Sequence, residues 1–204
     1  NQLDIMAIDA RELLETEECT CVADTGYYNA SEIKKCLDEG MTVLIKKAKA
    51  NNSTKDNEFR KDKLKYDPEK DVYICPAEQQ LYFFENTSKN GMKYKKYKCN
   101  SCSSCKYKNK CTSSKSGRTL QRWEHEAVLE AVHEKTWSRN ETYKQRRCIV
   151  EHPFGTVKRS LGYSFFLRKR IENVDAEASS MFIAYNLKRL FAVFSTQELI
   201  AKFR

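Results

Sequence analysis

The sequence predicts an α/β protein whose layered core is interrupted by an insertion. Three observations carry this reading. Helix-period and strand-like segments alternate from Leu3 to Ile45. A polar, cysteine-rich stretch then breaks the alternation, and helical periodicity returns near Arg122 and continues to the C-terminus.

The elements follow in order. Leu3, Met6, Ala10, Leu13 and Leu14 recur at helical spacing, so 3–15 is expected to be a helix. The short β-branched run CTCVA, 19–23, reads as a strand. Residues Ala30 to Glu39 read as a helix with Asn29 or Ser31 near its cap and Gly40 at its stop, and MTVLI, 41–45, is a second strand. This order favours neighbouring parallel strands. Residues 46–70 are polar, with KAKANNSTKDNE as a loop. Strand-like pieces follow (DVYIC, QLYFFEN, MKYKKYKC), then helical blocks near 122–135, 139–162 and 175–203. The expected organisation is a core part at 1–47, a basic Cys-rich insertion at 48–120 and a helical completion of the core at 121–204.

Composition narrows the function. The 204 residues carry 37 Lys+Arg against 28 Asp+Glu, a net charge of +9, which favours a polyanionic partner, nucleic acid first. No apolar run approaches the roughly 20 residues needed to span a bilayer, so no membrane role is expected. An odd count of nine cysteines, without a signal-peptide pattern, argues for metal binding over a disulfide scaffold.

Four of those cysteines crowd into CNSCSSCKYKNKC: Cys99, Cys102, Cys105 and Cys111, with Cys75 upstream. Zinc takes four thiolate or imidazole ligands in a tetrahedron, and a C-x2-C turn presents two sulfurs to one ion. The expected structural zinc set is Cys75, Cys102, Cys105 and Cys111, with Cys99 as a possible substitute. Around this cluster, Asn86 to Arg118 contains no acidic residue and ten basic ones. Lys93, Lys95, Lys96, Lys98, Lys106 and Lys108 interleave there with Tyr94, Tyr97 and Tyr107. That mixture suits phosphate neutralisation with aromatic contacts, so these lysines are the candidate DNA-binding set.

Two carboxylates stand out. Asp24 ends the first strand in VADTGYYNA, ahead of a Thr-Gly turn. Glu151 lies in YKQRRCIVEHPFGTVKRSLGY. On an α-helix, Arg147, Glu151 and Lys158 share one face, beside an apolar stripe of Val150, Phe154, Val157 and Leu161. Pro153 interrupts that regularity. Taken alone, Asp24 is a turn former and Arg147–Glu151 a surface ion pair.

The motifs VADTGYYNASEIKKC, FRKDKLKYDPEKDVYICPAEQQLYF, CSSCKYKNKC and RRCIVEHPFGTVKRSLGY, in this order, cover nearly the whole chain. Together they resemble the C-terminal part of bacterial insertion-sequence transposases of the DDE type, which have a ribonuclease H-like catalytic core. The resemblance implies a partial core of that kind whose N-terminal strands are missing. It implies Asp24 as the second catalytic acid, Glu151 as the third, and Arg147 and Lys158 as accessory cations. The first acid is expected upstream of Asn1, so the segment alone is expected to be inactive. The related signature places a tyrosine three residues before its arginine. Here Tyr143 is four before Arg147 and three before Arg146.

The resemblance further implies a two-metal Mg²⁺ site for DNA strand cleavage and strand transfer. The partners would be transposon ends and target DNA, with a homo-oligomer on DNA, in the bacterial cytoplasm at the nucleoid. The competing expectation is a non-catalytic, zinc-stabilised basic DNA-binding remnant, in which Asp24 is only a turn residue and Glu151 only ion-paired.

Overall fold

The computed structural model describes residues 2–47 and 57–202. The loop expected at 47–58 therefore lies largely outside the described residues. The chain divides into two compact units, Asn1–Ser138 and Arg139–Arg204.

The first unit opens with α1 (Leu3–Leu13), β1 (Thr20–Ala23), α2 (Ala30–Asp38) and β2 (Thr42–Ile45). Asn29 caps α2 by accepting from the Ser31 and Glu32 amides, which satisfies donors that the first helical turn leaves open. The helices are tied through Glu32, whose carboxylate accepts from the Leu3 amide at 2.9 Å. Strands β1 and β2 are parallel, in register from Thr20↔Thr42 to Ala23↔Ile45. Both therefore end at the same edge, with Asp24 and Lys46 as the next residues.

Helix α4 (Glu126–Ser138) closes this layer. Buried Thr136 accepts from the Ile45 amide at 3.1 Å and bonds the Val132 carbonyl at 2.7 Å. A side chain thus does for β2 what a further strand would do. The core beneath is Leu3, Ala7, Ile33, Cys36, Met41, Val43 and Ile45, closed by Trp123, Leu129 and Val132.

Between β2 and α4 runs an antiparallel sheet in sequential order: β3 (Lys65–Asp67), β4 (Val72–Ile74), β5 (Gln80–Lys89), β6 (Met92–Cys99) and β7 (Thr119–Trp123). The short helix α3 (Lys108–Cys111) lies between β6 and β7. Strands β5 and β6 meet at Lys89↔Met92 around Asn90-Gly91, with φ of 51° and 76°. That is the two-residue turn that Asn-Gly favours. Buried Leu64, Tyr73, Leu81, Tyr97, Cys99 and Leu120 form a second core.

Two stretches differ from expectation. Thr119–Trp123 is a strand, whereas helical periodicity was expected from Arg122; the helix begins at Glu126. Residues 46–70 also hold β3, and this three-residue strand is too short to show a period.

The second unit comprises α5 (Asn140–Arg146), a π-helical segment Arg147–Glu151, α6 (His152–Gly155), a second π segment Thr156–Ser160, α7 (Ile171–Val193) and α8 (Thr196–Lys202). The helical block expected at 175–203 is broken at Phe194, where the backbone turns extended. Phe154 packs edge-to-face on Phe182 of α7 at 5.3 Å. Of the expected apolar stripe, Val157 is buried while Val150 and Phe154 are about half exposed.

Candidate carboxylates, basic sheet and cysteine cavity

Asp24 follows β1 directly and is exposed. Its Oδ1 accepts from the Thr25 amide at 2.7 Å, capping the 3-10 turn Thr25–Tyr27. The Tyr27 amide then donates to the Asp24 carbonyl at 2.9 Å. Part of the bland role is therefore real: one carboxylate oxygen holds the turn. Gly26 adopts no left-handed φ, and an added Cβ there would meet open space. The turn's sharpness comes from the aspartate cap rather than from the glycine.

In the second unit, Glu151 pairs with Arg146, with Nη2 3.0 Å from Oε1. The expected partner was Arg147, which is exposed. The cause is the π-helical stretch: widening the turn brings residues five apart onto one side, where an α-helix brings residues four apart. The Arg146 guanidinium also lies 5.8 Å from the centre of the Tyr143 ring, at the tyrosine–arginine spacing of three noted above. Lys158 is exposed in the second π segment, so the α-helical alignment of Arg147, Glu151 and Lys158 does not apply.

The acid-free window is not acid-free in space. Lys95 donates to Asp71 at 3.0 Å and Lys96 to Glu85 at 2.5 Å. Lys98 sits 5.4 Å from the Phe84 ring centre, and Lys106 5.1 Å from that of Tyr107. Lys93 is exposed, and Lys108 donates to the Lys115 carbonyl at 3.5 Å. Tyr82, Phe83 and Phe84 stand exposed on β5 beside these cations. Sequence reasoning named the lysines but missed these aromatics, although YFF is a plain signal beside a basic strand.

Five thiols, of Cys75, Cys99, Cys102, Cys105 and Cys111, line one small cavity. The Arg118 amide donates to the Cys102 Sγ at 3.3 Å. Gly117 has φ +92°, and a Cβ there would meet the Cys102 Cβ and the Cys99 carbonyl, both at 3.0 Å. Only glycine lets the backbone pass this close to the sulfur. Burial raises the Cys99 thiol to about 11, helped by its hydrogen bond with Cys102. Burial also raises Cys111, with Arg118 opposing. The sulfurs share a cavity without closing into a coordination shell: among the described residues, no group of three or more His, Cys, Asp or Glu side chains is arranged to hold a metal ion. The expected zinc set, Cys75, Cys102, Cys105 and Cys111, lines this cavity together with Cys99.

A family model, the transposase DDE domain, matches residues 74–191, more than half of the chain. The chain belongs to this transposase family. The match takes in the cysteine cavity, the basic β6 strand and Glu151, and begins after Asp24. No curated protein and no solved structure matches the chain. Among the described residues no helix is long and apolar enough to cross a membrane.

Proposed function

We propose that the chain is a catalytic region of a DNA transposase, built on a ribonuclease H-like core, that cleaves and joins DNA strands with divalent metal. The observation that carries this is the family match over 74–191, with Glu151 inside it on a cation-paired helix. Asp24 and Glu151 are the proposed metal-binding acids. Their exposed carboxylates are hard oxygen donors of the kind Mg²⁺ takes. When bound, paired Mg²⁺ activates the attacking oxygen and stabilises the leaving one.

The chain's own groups have separate tasks. Arg146 orients Glu151 through their ion pair. Arg147 and Lys158 lie exposed to meet the DNA backbone. Thr25 fixes the Asp24 carboxylate at the strand end. The lysines of β6 and the 106–108 turn, with Tyr82 and Phe84, hold DNA. The third acid that the chemistry requires is not assigned among these residues. Transposon ends, target DNA and a synaptic oligomer are the proposed partners, in the bacterial cytoplasm. The part at 48–120 is proposed as an insertion into a core made by 1–47 and 121–204.

A structural zinc ion on Cys75, Cys102, Cys105 and Cys111 is the finer part of this proposal. It is supported by the five thiols on one cavity and by the Arg118 amide donating to Cys102.

The non-catalytic remnant is favoured by one observation: Asp24 is engaged as a turn cap and precedes the matched region. A transposition assay with the whole gene product separates the two. Asp24→Asn and Glu151→Gln are each expected to reduce transposition at least about a hundredfold, the scale of losing a group that acts on the transition state. Wild-type frequencies in both would leave only the remnant.

A further inference from the structure

Parallel strands in an open α/β layer place ligands beyond their carboxyl ends. Here that edge carries Asp24 after β1 and Lys46-Lys47 after β2, as the Ala23↔Ile45 register dictates. A charged cluster stands at the same edge. Glu126, 9% exposed at the start of α4, receives two ammonium groups on one oxygen. Lys47 Nζ is 3.3 Å and Lys61 Nζ 3.7 Å from its Oε1. Its Oε2 accepts from the Trp123 amide at 3.4 Å. Lys47 also lies 5.9 Å from the ring centre of Tyr28, in the loop that Asp24 opens.

Among the described residues, Glu126 is the one carboxylate paired with both Lys47 and Lys61. Two ammonium groups share one carboxylate oxygen, and each keeps donors that Glu126 leaves unused. Arg122, buried nearby, is already engaged by Glu130 at 2.6 and 2.8 Å. Burial lowers the pKa of Lys61, with Glu126 opposing it. Burial alone would raise Glu126, yet Lys61 and Lys47 hold it below its ordinary value. A half-buried cation pair with one shared counter-charge is stabilised by a further anion. The partly exposed Lys47 and Lys61 side chains leave the approach open.

We propose that Lys47 and Lys61, positioned by Glu126, form a phosphodiester-binding subsite beside Asp24. They would seat a DNA backbone phosphate at the carboxyl edge of β1 and β2. Glu126 is a positioning residue: it holds the two ammonium groups together and touches no DNA. This subsite rests on the DNA-transposase reading above. It is distinct from the β6 lysines, which lie on the antiparallel sheet.

The test is binding of a fluorescein-labelled DNA duplex to the 204-residue chain across a salt series. Neutralising one phosphate contact changes the slope of log K against log salt by about 0.9. Lys47→Ala and Lys61→Ala are each expected to flatten the slope by about that amount and to weaken binding severalfold at low salt. Lys61→Arg should restore both. Lys34→Ala, on α2 and paired to Asp38, should leave the slope unchanged. Thermal melting confirms folding, and the more exposed Lys47 keeps the test valid if Lys61→Ala unfolds. Wild-type DNA binding with unchanged slopes in both variants, or an equal loss in Lys34→Ala, overturns the subsite and spares the DNA reading. Absence of DNA binding by the wild-type chain overturns both.

Discussion

Asp71 shows how single residues shape this molecule. It sits at φ 49° in the turn before β4 and accepts from Tyr66 and Tyr97, both at 2.6 Å, and from Lys95 at 3.0 Å. The two tyrosine hydroxyls, with Lys95, hold its carboxyl down to about 2. A carboxyl depressed below its unfolded value of 3.8 stabilises the fold above that value. The contribution is lost as pH falls through the folded value. Allowing for its partial exposure, Asp71 is expected to contribute about 1 kcal/mol, lost between about pH 4 and pH 2. Urea midpoints across that range should fall further for the wild type than for Asp71→Asn, which keeps a residue tolerant of positive φ. Parallel curves for the two proteins would assign Asp71 no such role.

At the level of elements, the legible parts were those with a strong local period or cap. α2 is marked by Asn29 and Gly40, and β1 and β2 by their apolar runs. β7 was misread because Leu120 and Trp123, three residues apart, fit a helical period but fall on opposite faces of a strand, and the pairing Tyr97↔Leu120 decides it. The Arg146–Glu151 pair was hidden for another reason: a π turn changes which neighbours meet, and nothing local in the sequence marks its onset. The β6 lysines were legible as a charge run, but their partners Asp71 and Glu85 arrive from other strands.

The cysteine-bearing turns belong to this scale too. Cys75 follows β4, Cys99 ends β6, and Cys102 to Cys111 fill the connection to β7. If zinc ties these ends, the purified chain should carry about one zinc ion, the stoichiometry of a four-thiolate site. Cys105→Ser should lose the ion and lower the melting temperature. Zinc content near zero in the wild type, or unchanged in Cys105→Ser, would leave the cavity as packing alone.

For the whole molecule, family membership is established by residues 74–191, whereas the proposed chemistry depends on two acids far apart in sequence. Asp24 closes a strand in the first unit, and Glu151 lies in a π segment in the second. Each could be justified locally as a turn cap or an ion pair. Their proposed roles rest on motif order, because no local pattern encodes a metal-binding acid. The central proposal is that Asp24 and Glu151 are metal-binding acids. The most direct measurement is Mn²⁺ binding to the intact chain, followed by the ion's paramagnetic resonance. Asp24→Asn and Glu151→Gln should each weaken binding about tenfold, equivalent to about 1.4 kcal/mol. Mn²⁺ affinity unaltered in both single variants would contradict the account.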